Sequence, residues 1–260
     1  MLHRILDEIV SHKRREVARA KSGRSLAELA SEAAAAPAPR DFAGALRGPG
    51  VALIAEIKRR SPSAGQIRAS FEPLGIAEAY QAHGAAAISV LTDRRYFGGS
   101  LDILRRVRAA VGLPVLRKDF LVDPYQLYEA RAAGADAVLL IAEVLPRTRL
   151  EAMLVEARSL GLACLVEAHC LASVRKAVAC EAPIVGINNR DLQTFQTDLE
   201  TTRRLGAAVP RDRILVSESG IYTRADVERV AAWGAHAVLV GEALMRSPDV
   251  GRAVAQLLGR

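Results

Sequence analysis

Five ionisable residues, Glu56, Lys58, Lys118, Glu167 and Glu218, lie at the ends of short apolar runs: ALIAEIK, VLRK, ACLVE and ILVSE. Burying an acid or a base against such runs is costly unless the group pairs or acts. Residues two apart on a strand share a face, so Glu56 and Lys58 project together from one strand end, ahead of a loop holding Ser61 and Ser63. Acid–base catalysis uses groups whose proton affinities are pushed apart by their neighbours. A lysine beside a glutamate stays a charged acid while a second carboxylate acts as base. Ion pairs tying strands together would account for any one of the five, but not for all five at one mouth, since such clusters gather at functional sites. A Schiff-base role for Lys58 or Lys118 needs a free amine, and neighbouring carboxylates favour the ammonium instead.

Convergence of these residues requires that the runs be strands of one sheet. From Val51 onward, apolar β-type runs alternate with helical patterns, as βα units do. The pattern predicts strands at 51–58, 86–92, 114–120, 137–144, 162–169, 184–190, 214–220 and 237–244. It predicts helices at 73–83, 99–110, 123–133, 147–160, 170–180, 198–207, 223–233 and 248–258. Asp123-Pro124 and Ser247-Pro248 read as helix starts, and Gly84, Gly112, Gly134, Gly161 and Gly234 as helix ends. GAAAISV (84–90), GADAVLL (134–140) and GAHAVLV (234–240) repeat one joint between a helix end and a strand start.

Eight such units, with no GxGxxG after the first strand, give an α/β fold: a closed (β/α)8 TIM barrel, which commonly needs ~250 residues. Two open α/β domains would need a central linker, and none is visible. Residues 51–260 are assigned to the catalytic barrel and 1–50 to an N-terminal helical extension and connector. In that extension, amphipathic helices occupy 2–35, with a stripe of Leu2, Ile5, Leu6, Ile9 and Val10 and a second start at Ser25 backed by Glu28. Residues 36–50, rich in Pro, Gly and Ala, read as a connector. The chain ends directly after the eighth helix, so no second enzyme is expected to be fused to it.

In such a barrel, the site lies at the C-terminal ends of the strands. Polar residues stand there at almost every strand: Thr92, Asp93, Asp119, Glu143, His169, Asn188, Arg190, Ser219 and Glu242 join the five above. Gly220 and Gly241 follow strands seven and eight, where barrels present backbone N–H groups to phosphate, with Lys58 and Ser61 able to close the other side. Arg190 is a candidate for gripping a carboxylate, or for a salt bridge to Asp191 or Glu167. His169 reads as a hydrogen-bonded structural group, and no metal is proposed. Tyr96, Phe97 and Phe120 either form a slot for a flat ring or pack a loop onto the barrel.

The chain has 50% apolar and 25% charged residues and a net charge of +7, with no run of five like charges. Such a diffuse basic field suits a small anionic metabolite better than nucleic acid. A non-catalytic anion- or RNA-binding barrel is the reading that the charge alone would motivate. Cys164, Cys170 and Cys180 have no CxxC spacing and an odd count, so they are read as reduced thiols in a cytoplasm. The N-terminus lacks the continuous apolar core of a signal peptide or membrane span.

IAEIKRRSPS (54–63), VLTDRRYFGGS (90–100), LRKDF (116–120), LVEAH (165–169), GINNRDL (186–192), SESGI (217–221) and VGEALM (240–245) stand in this order. With them the chain resembles the indole-3-glycerol phosphate synthase family across the barrel and into the extension. The resemblance implies ring closure of 1-(2-carboxyphenylamino)-1-deoxyribulose 5-phosphate, with loss of carbon dioxide and water, in tryptophan biosynthesis and without a cofactor. It makes Lys118 the general acid on the ribulose carbonyl and Glu167 the partner in the later dehydration. It puts Glu56, Asn188, Glu218 and Ser219 at active-site positions and gives Lys58 both phosphate binding and an acid role. Ser61, Gly220 and Gly241 fall where the family binds phosphate, and Arg190 where it approaches the anthranilate carboxylate.

Glu242 stands where some members carry serine, so its side chain is expected to point away from the phosphate, leaving the backbone N–H. Glu143 receives no role. The loop 59–70 is expected to close over the ligand, and the chain to act as a monomer with no nucleic-acid or membrane partner. A related phosphosugar isomerase, such as a phosphoribosylanthranilate isomerase, is the alternative. It needs one acid and one base rather than five such groups.

Overall fold

The computed structural model describes residues 4–62, 65–68, 70–191 and 194–260. Leu2 of the apolar stripe, Ser63 of the first loop and Leu192 of GINNRDL lie outside the described residues. Helices α1 (Arg4–Gly23), α2 (Leu26–Ala35) and α3 (Phe42–Ala45) precede β1 (Ala52–Ile57), and a hairpin of β2 (Arg60–Ser61) and β3 (Gly65–Gln66) follows it. Helices and strands then alternate as α4 (Pro73–Ala82), β4 (Ala87–Leu91), α5 (Leu101–Ala110), β5 (Val115–Lys118), α6 (Tyr125–Ala132) and β6 (Ala137–Ile141). They continue as α7 (Arg147–Ser159), β7 (Ala163–Ala168), α8 (Leu171–Ala179), β8 (Ile184–Asn188), α9 (Glu200–Gly206) and β9 (Ile214–Glu218). The last elements are α10 (Arg224–Ala232), β10 (Ala237–Val240), α11 (Glu242–Arg246) and α12 (Val250–Leu258). The hydrogen-bonded order β1-β10-β9-β8-β7-β6-β5-β4 closes on itself, giving the eight-stranded barrel expected from the alternation.

Strand parity places the site. Ile54, Leu116, Leu165, Ile184, Val216 and Leu239 point inward and pack on one another inside the barrel. Neighbours such as Leu53, Val115, Val166 and Val185 point outward against the helices. Advancing two residues from each inward side chain reaches Glu56, Lys118, Glu167, Gly186, Glu218 and Gly241. Side chains two apart share a face of a strand, so all six lie toward the barrel axis at its C-terminal mouth.

The elements differ from expectation mostly at their ends. All eight strands stop short of the expected C-terminal limits, so Asp119, Phe120, His169 and Arg190 leave the ladder and belong to loops. The last strand, expected over 237–244, ends at Val240, and Glu242 already begins α11. The connector 36–50 holds α3, capped by Asp41, whose Oδ1 accepts from Gly44 N at 2.7 Å. Phe42 and Leu46 are fully buried against the inward cluster and plug the end of the barrel opposite the mouth. Ser25 and Glu28 form the capping box read from their spacing. Ser247 does not cap α12: Asp249 does, accepting from Arg252 N at 2.9 Å. Gly84, Gly134, Gly161 and Gly234 have the left-handed φ that ends a helix, whereas Gly112 does not and instead donates its N–H to Gln81 at 2.6 Å.

Helix α1 is fastened across the mouth by a buried ion cluster. Lys13, 1% exposed, places Nζ 3.0 Å from each of Asp93 Oδ2, Asp119 Oδ1 and Glu16 Oε2. Asp93 Oδ1 accepts from Tyr96 N at 2.7 Å and Phe97 N at 3.3 Å, and Asp119 Oδ1 accepts from Phe120 N at 2.8 Å. Lys13 thus ties together the two loops that carry Phe97 and Phe120. The three cysteines are free, and burial pushes the Cys164 thiol up to about 12, which makes it inert at neutral pH. Among the described residues, no helix is long and apolar enough to cross a membrane.

Candidate active site

The C-terminal mouth opens into a cavity lined by the residues singled out above as catalytic or substrate-binding, Tyr96 excepted, from Glu56 on β1 to Gly241 after β10. At its centre, Lys118 Nζ donates to Glu167 Oε2 at 2.6 Å and to Glu218 Oε2 at 3.0 Å. Burial alone would strip the proton from Lys118, but the carboxylates of Glu167, Glu218 and Glu56 outweigh it and raise its pKa, so it is an ammonium. Burial works against ionising both glutamates as well. Lys118 and His169 overcome it at Glu167, which is held down to about 2. At Glu218, burial and the adjacent Glu167 charge prevail over Lys118 and push the acid up to about 8. The centre therefore sets one ammonium beside two carboxyl groups whose proton affinities are pushed apart, as acid–base chemistry requires.

On the β1 side, Lys58 Nζ sits 2.6 Å from Glu56 Oε1, the pairing expected from their two-residue spacing. Glu56 packs where a side chain on residue 241 would go: a Cβ there would lie 2.3 Å from Glu56 Oε1. Gly241 therefore makes room for Glu56, beyond any role of its N–H. Gly186, which sequence reasoning passed over, does the same for Glu218, since a Cβ would lie 2.2 Å from Glu218 Oε1. Its inward parity was the available signal. Gly186→Ala is expected to lower kcat by about 10²-fold by pushing Glu218 off Lys118, with little loss of stability because the displaced atoms end a flexible side chain. Steady-state kinetics alongside thermal unfolding check this.

Ser219 and Gly220 both take left-handed backbone, φ 69° and 75°. For serine this is unfavourable and needs support from its surroundings. The buried Asn189 provides it, donating Nδ2 to Ser219 O at 3.1 Å and to Ser217 Oγ at 3.0 Å while its Oδ1 accepts from Thr202 N and Oγ1. Asn188 turns inward beside it, and its Oδ1 accepts from Arg190 N at 3.1 Å.

Arg190 brings its Nη2 to 3.3 Å from Glu242 Oε2, a partner that the sequence reading did not name. Glu242 is thus drawn to Arg190, and its other oxygen to Arg246 Nε at 3.0 Å. The sequence hid this pair because its members belong to different βα loops. Tyr96 is not part of the aromatic slot, since its hydroxyl donates to Glu8 Oε1 of α1 at 2.9 Å. Phe97 and Phe120 do face each other, with centroids 6.0 Å apart. Ile5, Leu6 and Ile9 of α1 cover this end, and the half-exposed Phe195 and Tyr222 stand at the opposite rim. Among the described residues, no group of three or more His, Cys, Asp or Glu is arranged to hold a metal ion.

The chain has relatives among known proteins. Residues 6–257 match the family model described as indole-3-glycerol phosphate synthase. A protein of that name from Rhodopirellula baltica is 53% identical over 255 residues, covering 98% of each chain. One from Roseiflexus sp. is 50% identical over 264 residues, again covering 98% of each. Among solved structures, a 3-hexulose-6-phosphate synthase superposes with a TM-score of 0.64 at 16% identity, covering 80% of this chain and 99% of that one. A thiamine phosphate pyrophosphorylase from Pyrococcus furiosus does so with 0.62 at 19% identity, covering 80% and 94%. At such low identity these two speak for the barrel fold alone.

Proposed function

The chain belongs to the indole-3-glycerol phosphate synthase family, and from that membership we propose how its mouth divides the reaction among its residues. The enzyme is a carboxy-lyase of tryptophan biosynthesis that closes the indole ring of 1-(2-carboxyphenylamino)-1-deoxyribulose 5-phosphate. The ring carbon bearing the carboxylate attacks the ribulose carbonyl, carbon dioxide leaves, and a hydroxyl then departs as water. The observation that carries the assignment is Lys118 held between Glu167 and Glu218.

Lys118 is an ammonium positioned to protonate the carbonyl oxygen as the ring carbon attacks, so that charge does not build on that oxygen. Glu167, ionised beside it, accepts the proton that the ring loses during dehydration, and an ammonium of the mouth supplies the proton with which the hydroxyl leaves as water. Glu218, protonated at neutral pH, keeps a second negative charge away from Lys118, and Glu56 holds Lys58. Lys58, Ser61 and the backbone N–H groups of Gly220 and Gly241 bind the phosphate. Asn188 and Ser219 line the reacting centre. Phe97 and Phe120 hold the aromatic ring, and Arg190 exchanges its partner Glu242 for the substrate carboxylate. The three free thiols suit a cytoplasmic enzyme, and a mouth furnished from one chain suits a monomer.

Ionising Glu218 adds a negative charge that tightens the proton on Lys118 and weakens it as an acid. kcat is accordingly expected to fall as pH rises through about 8, and Glu218→Gln to remove that alkaline limb; a pH–rate profile of both proteins measures this. The isomerase reading is tested by offering phosphoribosylanthranilate to the purified protein. No consumption is expected, and isomerisation at rates typical of an enzyme would favour that alternative.

A further inference from the structure

Glu143 and His169 make a second buried acid–base pair beside the centre, and neither has a part in the roles above. Glu143 follows β6 and His169 follows β7. Glu143 Oε1 accepts from His169 N at 2.8 Å, and its Oε2 lies 3.3 Å from His169 Nδ1. The ring is thereby clamped at backbone and side chain by one carboxylate. Its other nitrogen, Nε2, is buried without a hydrogen-bond partner and lies 3.4 Å from Glu167 Oε1. Glu167 Oε2 is the atom that receives Lys118. The four groups form one line: Glu143, His169, Glu167, Lys118.

We propose that Glu143 and His169 are positioning residues for the ring closure, Glu143 fixing the imidazole and the imidazole holding Glu167 Oε1 so that Oε2 stays on Lys118. This rests on the reading of Glu167 and Lys118 as working groups. A carboxylate free to rotate about its terminal torsion loses the 2.6 Å contact to Lys118, and a carboxylate held at both oxygens does not. The pairing suits a cationic ring, because carboxylates face both of its nitrogens.

The charged surroundings agree. Glu143 approaches His169 from the loop after β6, Glu167 from β7 and Glu218 from β9. Lys118 lies behind Glu167 on β5. Lys176 of α8 spends its ammonium on Ala142 O at 2.7 Å and Leu145 O at 3.2 Å, and the neighbouring Cys170 thiol meets Ser173 Oγ at 3.3 Å. Burial opposes charge on both groups, yet the Glu143 and Glu167 carboxylates raise the pKa of the ring and His169 keeps Glu143 low.

The experiment compares His169→Asn, Glu143→Gln and the double variant with the unaltered enzyme by pH–rate profile. It also follows the His169 imidazole by NMR in the unaltered and Glu143→Gln proteins. Removing a cation beside the Glu167–Glu218 pair makes each of its protons bind more tightly. The alkaline limb of kcat is therefore expected to move to higher pH by about one unit in His169→Asn. In Glu143→Gln it should move the same way by less, and in the double variant no further than in His169→Asn, because Glu143 acts only through the ring. The imidazole should titrate above its ordinary value of 6.5 in the unaltered protein and lower in Glu143→Gln.

An alkaline limb that stays in place while kcat falls evenly would overturn the proposal, as would an imidazole that titrates normally. Should His169→Asn not fold, Glu143→Gln and the NMR titration decide the question alone. An unaltered protein that forms no indole would instead sink the functional reading, so the two failures are distinguishable.

Discussion

Lys118→Met is expected to abolish turnover, a loss of at least about 10³-fold in kcat, while the far-UV CD spectrum and binding of a phosphate-bearing substrate analogue stay nearly unchanged. Methionine keeps the length and apolar stem of the lysine and removes only the ammonium that faces the carbonyl. The substitution leaves Glu167 beside Glu218 without their cation, which is the kind of change that normally unfolds a core. Here the pair already shares a proton at neutral pH, with Glu218 pushed up to about 8. The lost charge can be absorbed by one further proton, so the fold survives while the chemistry stops. Activity within about tenfold of the unaltered enzyme would refute the general-acid role.

The second large effect concerns stability and comes from outside the barrel. Lys13→Met is expected to cost about 3–5 kcal/mol, because it takes from the buried Asp93 and Asp119 the cation they share and leaves Asp119 only Arg117. Glu16→Gln, which removes only the half-exposed member of the cluster, should stay within about 0.5 kcal/mol. Denaturant unfolding of the three proteins measures both; a loss of less than about 1 kcal/mol for Lys13→Met would contradict the account.

The cluster also sets an acid dependence. Burial works against ionising Asp119, but Lys13 and Arg117 override it and hold the acid down to about 2. A carboxylate depressed in the folded state contributes stability that is fully present above its unfolded value near ~4 and is lost as pH falls through the folded one. Acid unfolding should thus set in between about 4 and about 2, and at higher pH in Lys13→Met. Because Asp119 lies between Lys118 and Phe120, kcat should fall in the same variant.

What the sequence reveals here follows from strand periodicity. Most barrel strands are apolar runs whose inward residues end in a polar group two positions on, so Glu56, Lys118, Glu167 and Glu218 were legible as one mouth. Gly186 and Gly241 obey the same count, but a glycine gives no sign of which neighbour fills its space. Lys13 was visible too, had its place been counted. It stands on the apolar stripe of α1 after Leu6, Ile9 and Val10 and before Val17, where a lysine is out of character unless paired. Its partners, Asp93 and Asp119, lie in other βα loops, and no local pattern links them.

Pairings across loops defeat a one-dimensional reading in general. That is why Arg190 with Glu242 and Glu143 with His169 emerged only from the fold. The plug formed by Phe42 and Leu46 was hidden differently, by a Pro- and Gly-rich composition that resembles a linker while its two large apolar residues fill the barrel floor.

The most direct measurement mixes purified protein with 1-(2-carboxyphenylamino)-1-deoxyribulose 5-phosphate and follows indole fluorescence in real time. The geometry around Lys118 predicts a rise to one indole for each substrate consumed, with one carbon dioxide released, and no rise when Lys118→Met replaces the unaltered protein. Silence from a well-folded, unaltered protein, or an equal signal from the two, would contradict it.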